Sequence, residues 1–498
     1  MRLSQLVASI DLIEPSTSPD AEITGLALDS RAVLPGYLFA ALPGGHASGT
    51  RHVTEAVQRG AAAVLTGEHE PLNVAVPCLR AAHPRLALSR MAARFFAPAP
   101  RRIVAVTGTA GKSSVVQYVR QLWQSLGHAA ASIGTLGVIA PGKTDRIQLT
   151  TPDAITLHAA LQRLAREDVQ RVAMEASSHG LDMFRLHHVP LAAAAFTNLS
   201  RDHLDYHRTM DHYLAAKLRL FREILPEGAA AVLNADIPEY PVLRDVCRER
   251  GLRLIRFGRQ GEEIALLECA AGGAGLHLTI RILGAVGTFT VPIVGGFQAQ
   301  NIMAAAGLVL AEDCVTADEL FGALPSLTAV PGRLQPAGEK RSEGGVGRVF
   351  VDYAHKPGAL HSVLCALRPL VPRGGRLAVL FGCGGDRDAG KRPLMGEVAA
   401  RLADRVIVTD DNPREEDPAA IRREILQGAS GAPHVTEIGG RAEAIARAIA
   451  ELEPNDILVI AGKGHETGQI VGEETLPFDD VDVARRALSQ AMRGEHDP

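Results

Sequence analysis

The sequence predicts an α/β protein of three domains, and three observations carry that expectation. At 498 residues the chain is too long for a single hydrophobic core. From Arg101 onward, short apolar runs alternate with long helical stretches, the pattern of a mostly parallel sheet covered on both faces. Two composition breaks interrupt the chain. One is the Pro/Ala linker Phe96-Ala97-Pro98-Ala99-Pro100, and the other is the turn Val330-Pro331-Gly332-Arg333.

Residues 1–98 mix short strands and helices, with loops expected at Asp29-Ser30-Arg31 and Pro43-Gly44-Gly45-His46. Residues 99–330 form the second segment, with strands expected at 103–106, 172–174, 193–196 and 230–233. Residues 331–498 restart the alternation, with strands expected at 349–351, 377–381, 406–408 and 457–460. That is a Rossmann-like pattern.

Composition narrows the function classes. Hydrophobic residues make up 46% and charged residues 22%, ordinary for globular protein. A net charge of −4 gives no general drive toward nucleic acid or acidic membranes. No apolar run approaches the ~20 residues of a membrane span, and the N-terminus lacks a signal-peptide core. The six cysteines are scattered without a C-x-x-C pair, which argues against a zinc ribbon or a disulfide framework. A cytoplasmic protein is expected.

The run 103–106 leads into Thr107-Gly108-Thr109-Ala110-Gly111-Lys112-Ser113-Ser114, and a helix is expected from about 115 to 126. Strand, glycine-rich turn and helix together make a phosphate loop. Its backbone N–H groups close on phosphate oxygens at the positive end of a helix dipole. Lys112 reaches the terminal phosphates and the Ser113 hydroxyl suits Mg²⁺. Val106 stands where the common pattern has glycine, so the loop is a variant. By itself it says only that a nucleoside triphosphate binds; kinase, switch, motor and ligase stay open.

Glu175 ends an apolar strand in the same sheet and is placed to hold a cation. After the next strand come Asp202, His203 and Asp205, a cluster with metal-ligand chemistry. Lys217 lies on the following helix, where an exposed lysine is the ordinary expectation. In the third segment, Asp411-Asn412-Pro413-Arg414 follows a buried-strand run and turns at Pro413. A carboxylate, an amide and a guanidinium within four residues suit a small zwitterion.

The motifs TGTAGKSS, TTPDA, EASSHGL, FTNLSRDHLDYH, YLAAK, GGFQAQN, VPGRLQP, VDYAHKPGAL, GCGGDRDAGKRPLMG, DDNPREEDP and AGKGHETGQ run through nearly the whole chain. On them the sequence resembles the Mur ligases of bacterial peptidoglycan synthesis, most of all the branch that adds diaminopimelate. The resemblance implies a small UDP-binding domain (1–98), a central P-loop ATPase domain (99–330) and a C-terminal Rossmann-like domain that binds the amino acid (331–498). It implies a monomer whose substrates are ATP, UDP-MurNAc-L-Ala-D-Glu and diaminopimelate, the meso isomer expected although one pocket pattern serves either stereocentre. ATP would make an acyl phosphate of the dipeptide's terminal carboxylate, and the amine would displace phosphate to form an amide.

By resemblance, two Mg²⁺ ions are held by Ser113 and Glu175, and by His203 and Lys217. Lys217 would be carbamylated by CO₂ (N6-carboxylysine), which turns a cation that repels Mg²⁺ into an anionic oxygen ligand. Lys112, Glu175, His203 and Lys217 form the implied catalytic set. Gly108, Thr109, Ala110, Gly111, Lys112, Ser113, Ser114, Asn301, Arg333, Asp352 and His355 resemble the nucleotide contacts. Ser30, Thr150, Thr151, Ser177 and Arg185, with His46 and Ala47 in a looser motif, resemble the UDP-MurNAc-dipeptide contacts. Arg387, Asp411, Asn412, Arg414, Gly462 and Glu466 resemble the lining of the amino-acid pocket. Arg414 would grip the distal carboxylate of diaminopimelate while Glu466 and Asp411 receive its distal ammonium. Lys356 and Gly468 depart from the common pattern, so their roles stay open. The competing expectations are a relative that adds lysine, a folylpolyglutamate synthetase, an inactive nucleotide-binding regulator and a simple P-loop kinase.

Overall fold

The computed structural model describes residues 1–13, 20–43, 49–68, 74–147, 149–272, 275–312, 314–432 and 434–494. His46 and Ala47 lie outside the described residues. The chain separates into two compact units, Met1–Ala265 with Ile302–Leu320, and Leu266–Asn301 with Phe321–Pro498.

The first unit holds two sheets. The smaller has four parallel strands in chain order, Gly25–Ala27, Tyr37–Ala40, Ala63–Gly67 and Cys78–Ala81. The loop expected at Asp29 is a 3-10 turn, Ser30–Ala32, because the Asp29 carboxylate accepts from the Arg31 N–H. In the larger sheet Arg102–Thr107 lies between Leu191–Phe196 and Arg171–Glu175, all parallel. Ala230–Asn234 and Arg253–Gly258 continue beyond Leu191–Phe196. Ala130–Gly134 lies on the other side, followed by the antiparallel strands Gly137–Ala140 and Lys143–Asp145.

The alanine-rich run Leu191–Phe196 would suit a helix by propensity alone. It is a strand because parallel neighbours flank it and its interior is buried. The order reverses at Arg102–Thr107: its successors go to either side. Ligands bind at such a switch point, beyond the strands' C-terminal ends. Ile103, Ile133, Leu157, Leu161, Val172 and Met174 belong to the core of this unit.

The second unit carries a six-stranded sheet in the order Gln335–Ser342, Gly345–Asp352, Ile457–Ala461, Leu377–Phe381, Arg405–Val408, Val435–Glu437. Only its first strand is antiparallel. Both faces are covered, as near-continuous apolar runs require. Val379, Phe381, Val406, Val408 and Val459 enter one core, while Ala378, Leu380, Ile407, Leu458 and Ile460 enter the other. A small hairpin, Gly468–Val471 with Glu474–Pro477, follows the Ile457–Ala461 strand. Each strand expected from sequence is present, extended by a residue or more in most cases. None of the six cysteines is in a disulfide.

Candidate active site

The phosphate loop follows Arg102–Thr107 and opens the helix Lys112–Ser125. That helix starts three residues earlier than expected, because Gly111 turns the chain at φ +86° immediately before Lys112. Gly108 is also required: at φ +141°, a Cβ there would meet Thr197 Oγ1 at 1.9 Å. The loop is braced from the neighbouring strand. Asn198 O accepts from the Thr109 N–H at 2.9 Å and Asn198 Oδ1 from the Ala110 N–H at 2.9 Å. Lys112 Nζ donates to the carbonyls of Gly108 and Thr109, both at 2.9 Å. The ammonium thus caps its own loop.

Glu175 is buried at the end of its strand and gathers donors. Its Oε1 accepts from Ser113 Oγ at 2.9 Å and from the Thr135 N–H at 2.8 Å, and Oε2 accepts from Thr135 Oγ1 at 3.3 Å. Thr151 Oγ1 donates to the Glu175 carbonyl at 2.8 Å and accepts from the Ser177 N–H at 2.9 Å. Arg185 Nη1 donates to the Thr151 carbonyl at 2.8 Å, and Thr150 and Thr135 pair through their hydroxyls at 3.1 Å. Thus Ser113, Thr150, Thr151, Glu175, Ser177 and Arg185 form one connected cluster. Ser30 stands in the small-sheet layer, where it donates to Glu55 at 2.7 Å.

Lys217 departs from the ordinary expectation for a helical lysine: it is 1% exposed. Its Nζ donates to the Gly108 carbonyl at 2.8 Å and sits 4.3 Å from the Tyr213 ring centroid. Tyr213 in turn pairs its hydroxyl with Thr109 at 3.2 Å. His203, at φ +52°, has Nε2 3.4 Å from Asp202 Oδ2 and packs edge-on to His179. Asp205 is exposed on the short helix Leu204–His207. Among the described residues no three His, Cys, Asp or Glu side chains converge as a ready cation cage. The Ser113–Glu175 oxygen pair fits Mg²⁺ in the other common way, with substrate phosphates and water completing the shell.

In the second unit, Asp352 is buried, with its carboxylate accepting from the N–H groups of Leu334 (2.7 Å) and Ala354 (2.8 Å). Burial raises its pKa, and Arg333 works against that shift. Arg333 stacks on the Tyr353 ring at 4.4 Å. His355 binds the Tyr353 carbonyl through Nδ1 at 2.8 Å. Burial, aided by Lys356 and Lys391, pushes its pKa down to about 3, so it is neutral. Asn301 is buried and donates to Gln298 at 2.8 Å.

The Asp411–Arg414 turn leaves the Arg405–Val408 strand with Asp411 and Asn412 buried. Asn412 makes three internal hydrogen bonds: Oδ1 accepts from Lys463 Nζ (2.8 Å) and the Ile470 N–H (3.0 Å), and Nδ2 donates to Glu466 (2.9 Å). Arg414 is held at φ +53°. Its N–H donates to the Ile470 carbonyl and its own carbonyl accepts from Gly472. Its Nη1 donates to the Gly385 carbonyl at 2.8 Å, and Nε and Nη2 have no protein acceptor among the described residues. Arg387 is exposed on the adjacent loop, where its Cγ lies 3.8 Å from the position of a Cβ at Gly384. Gly462, at φ +116°, lies so close to Asp411 that a Cβ would fall 2.4 Å from Oδ2.

Lys463 is the site residue that sequence reading missed. It is fully buried, 3.3 Å from Glu466 Oε2 and 4.0 Å from Asp411 Oδ1. Its signal was available: a lysine between two glycines, directly after an apolar strand. A cavity of about 820 Å³ lined by His83, Arg90, Phe184, His187 and Glu223 contains none of the expected site residues.

Comparison with known proteins agrees with this geometry. Family profiles match residues 22–96 (Mur ligase family, catalytic domain), 106–309 (Mur ligase middle domain) and 332–464 (Mur ligase, glutamate ligase domain). The UDP-N-acetylmuramoyl-L-alanyl-D-glutamate--2,6-diaminopimelate ligase of Bradyrhizobium diazoefficiens is 50% identical over 496 residues, covering 99% of this chain and 100% of its own. A solved structure of a ligase of the same name superposes with a TM-score of 0.70 at 32% identity, covering 100% of both chains. Folylpolyglutamate synthase of Mycobacterium tuberculosis, at 20% identity and TM-score 0.61 over 83% of this chain and 94% of its own, shares the fold.

Proposed function

The chain belongs to the Mur ligase family, and from that premise we propose that it joins 2,6-diaminopimelate to UDP-MurNAc-L-Ala-D-Glu at the expense of ATP, in cytoplasmic peptidoglycan precursor synthesis. The observation that carries the choice of amino acid is Arg414, held at φ +53° with Nε and Nη2 unengaged by protein among the described residues, on the turn that also carries Asp411. The full-length identity to a relative named for diaminopimelate supports it. The proposed working form is a monomer with domains 1–98, 99–330 and 331–498. Among the described residues no helix is long and apolar enough to cross a membrane.

In the proposed reaction the terminal carboxylate of the dipeptide attacks the γ-phosphorus of ATP, and ADP leaves. The diaminopimelate amine then attacks the acyl carbon, loses a proton, and expels inorganic phosphate as the amide forms. Lys112 turns from its loop carbonyls to the phosphates, and the loop N–H groups bind their oxygens. Asn301, Arg333, Asp352 and His355 are the proposed further nucleotide contacts. Thr150, Thr151, Ser177 and Arg185, already linked to Glu175, orient the dipeptide, with Ser30 and His46-Ala47 proposed for the UDP-sugar end. The chemistry is positioning and charge stabilisation rather than protein nucleophilicity.

Ser113 and Glu175 would hold one Mg²⁺, and His203 with a carbamylated Lys217 a second. When bound, such ions offset phosphate charge. Buried Lys217 fits carbamylation: its amine would combine with CO₂, release a proton and present oxygen in place of an ammonium.

For selectivity, Arg414 is proposed to take the distal carboxylate through Nε and Nη2 as a fork, while Glu466 and Asp411 take the distal ammonium. Lysine lacks that carboxylate. Were the bound substrate to shut the guanidinium off from water, leaving it unpaired would cost about 3–5 kcal/mol, a discrimination of roughly 10³. Mass spectrometry of the product formed from UDP-MurNAc-L-Ala-D-Glu, ATP and a panel of diamino acids tests the proposal. A diaminopimelate adduct is expected; a lysine adduct alone, or phosphorylation without an amide, would refute it.

A further inference from the structure

Arg441 opens the helix Arg441–Ala450 in the second unit, and Asp480 opens the C-terminal helix Asp480–Gly494. Both side chains are 0% exposed. Nε of Arg441 donates to Asp480 Oδ1 and Nη2 to Oδ2, each at 2.7 Å. The remaining reach of the guanidinium goes to two backbone carbonyls. Nη2 donates to Ala461 O at 3.0 Å and Nη1 to Asp410 O at 3.3 Å.

Those two carbonyls mark the ends of the two segments that carry the amino-acid pocket. Ala461 ends its strand and is followed by Gly462 and Lys463; Asp410 is followed by Asp411 and Asn412. The Ile457–Ala461 and Arg405–Val408 strands are not neighbours, because Leu377–Phe381 lies between them. No ladder hydrogen bond therefore joins the two strands, and the guanidinium bridges their ends directly. The spacing it sets is a tight one. At Gly462 a Cβ would lie 2.4 Å from Asp411 Oδ2 and 3.9 Å from Arg441 Nη2.

The charge is placed as well as the fork. Burial opposes ionisation of Arg441. Asp480 overcomes that, with Asp411 and Glu466 adding to it, and the guanidinium is held charged. The guanidinium makes four hydrogen bonds here, two to the carboxylate and one to each carbonyl, one more than the three hydrogens of an ammonium allow.

We propose that Arg441 and Asp480 are positioning residues for the amino-acid substrate: the buried guanidinium fixes the separation of Asp411 from the Gly462–Glu466 segment, and thereby the fit of the distal amino-acid head of diaminopimelate. This rests on the reading of that pocket as the diaminopimelate site.

A double replacement separates positioning from folding, because a buried ion pair exchanged for apolar groups of similar volume often leaves stability unchanged. For Arg441→Met/Asp480→Leu, thermal unfolding and steady-state kinetics are measured for all three substrates. The expected result is a Tm close to the parent, KM for diaminopimelate raised about tenfold or more, KM for ATP and for the UDP-dipeptide unchanged, and a smaller preference over lysine. A folded double variant with the parental KM for diaminopimelate overturns the proposal. Should that variant not fold, Arg441→Lys gives the second reading. It keeps the charge and loses the fork, so KM for diaminopimelate rises while ATP is unaffected; an unchanged KM overturns the proposal equally. Arg414→Ala runs alongside. If it leaves diaminopimelate addition intact, the pocket reading itself fails and the positioning claim with it. If it abolishes addition while both Arg441 variants behave as the parent, only the positioning claim fails.

Discussion

The phosphate loop and the Asp411–Arg414 loop both sit at the C-terminal ends of parallel strands, yet they are held by different means. The phosphate loop is secured by its own backbone and its immediate neighbours: Gly108 and Gly111 at positive φ, Lys112 capping carbonyls three and four residues back, Asn198 bracing from the adjacent strand. The Asp411–Arg414 loop is secured by buried charge gathered from afar. Lys463 comes from 51 residues away, and Arg441 reaches Asp410 across 31 residues. Glu416 is held by Arg392, itself 1% exposed, across 24 residues. A loop that closes its backbone N–H groups on phosphate can be written into one short stretch. A loop that discriminates among amino acids needs its polar groups fixed from several directions, since a fraction of an ångström decides the fit.

The largest effect expected lies on the phosphate side. Lys217→Ala should be nearly inactive, because a principal charge-stabilising group is lost, with all amino acids affected equally. Short-chain carboxylic acids should partly restore it by supplying the missing oxygen ligand. Activity that survives without rescue would remove Lys217 from the catalytic set.

Arg414→Ala should come next, and it should act on one substrate only. Diaminopimelate kcat/KM is expected to fall by roughly 10³ while nucleotide affinity is kept. Equilibrium ATP binding and steady-state kinetics on the same preparation check both halves. A loss of ATP binding would erase the contrast between the two loops.

Gly462→Ala sharpens the comparison by crowding the amino-acid loop. With φ at +116° and a Cβ 2.4 Å from Asp411 Oδ2, the strain is expected to cost about 1–3 kcal/mol. Denaturant unfolding should register that cost, and KM for diaminopimelate should rise with it. A neutral outcome in both would mean that the close approach carries no structural weight.

The smallest effect concerns pH. Burial holds His158 at about 4 and His355 at about 3, below the ordinary 6.5. Between 6.5 and those values the unfolded chain binds protons that the folded chain cannot. Stability is therefore full above about pH 6.5 and falls as the pH drops toward 4 and below. Tm measured from pH 8 to pH 5 should decline. His158→Leu, which removes one such group, should flatten the decline, and an unchanged slope would count against a neutral buried His158.

This contrast also explains what could be read from sequence. The strands were legible because both faces of each sheet are covered, so buried strands such as Leu377–Phe381 are uninterrupted apolar runs. The Gly108–Ser114 loop was legible because its chemistry is local. Lys217 was not, since burial on a helix depends on what the fold places against it, here the Gly108 carbonyl 109 residues away in sequence. Arg441 and Asp480, 39 residues apart on two different helices, leave no local trace of their pairing. Asn412 reads as a ligand-facing amide from its motif, but its three bonds to Lys463, Ile470 and Glu466 make it part of the frame.

Arg414 is the proposed selector of diaminopimelate in this Mur ligase family member. The most direct test is a competition in which equal diaminopimelate and lysine are offered to the parent and to Arg414→Ala with UDP-MurNAc-L-Ala-D-Glu and ATP, and the products are counted by mass spectrometry. An almost pure diaminopimelate product is expected from the parent, with loss of that preference in the variant. A parent that adds lysine, or a variant that keeps the parental preference, would contradict it.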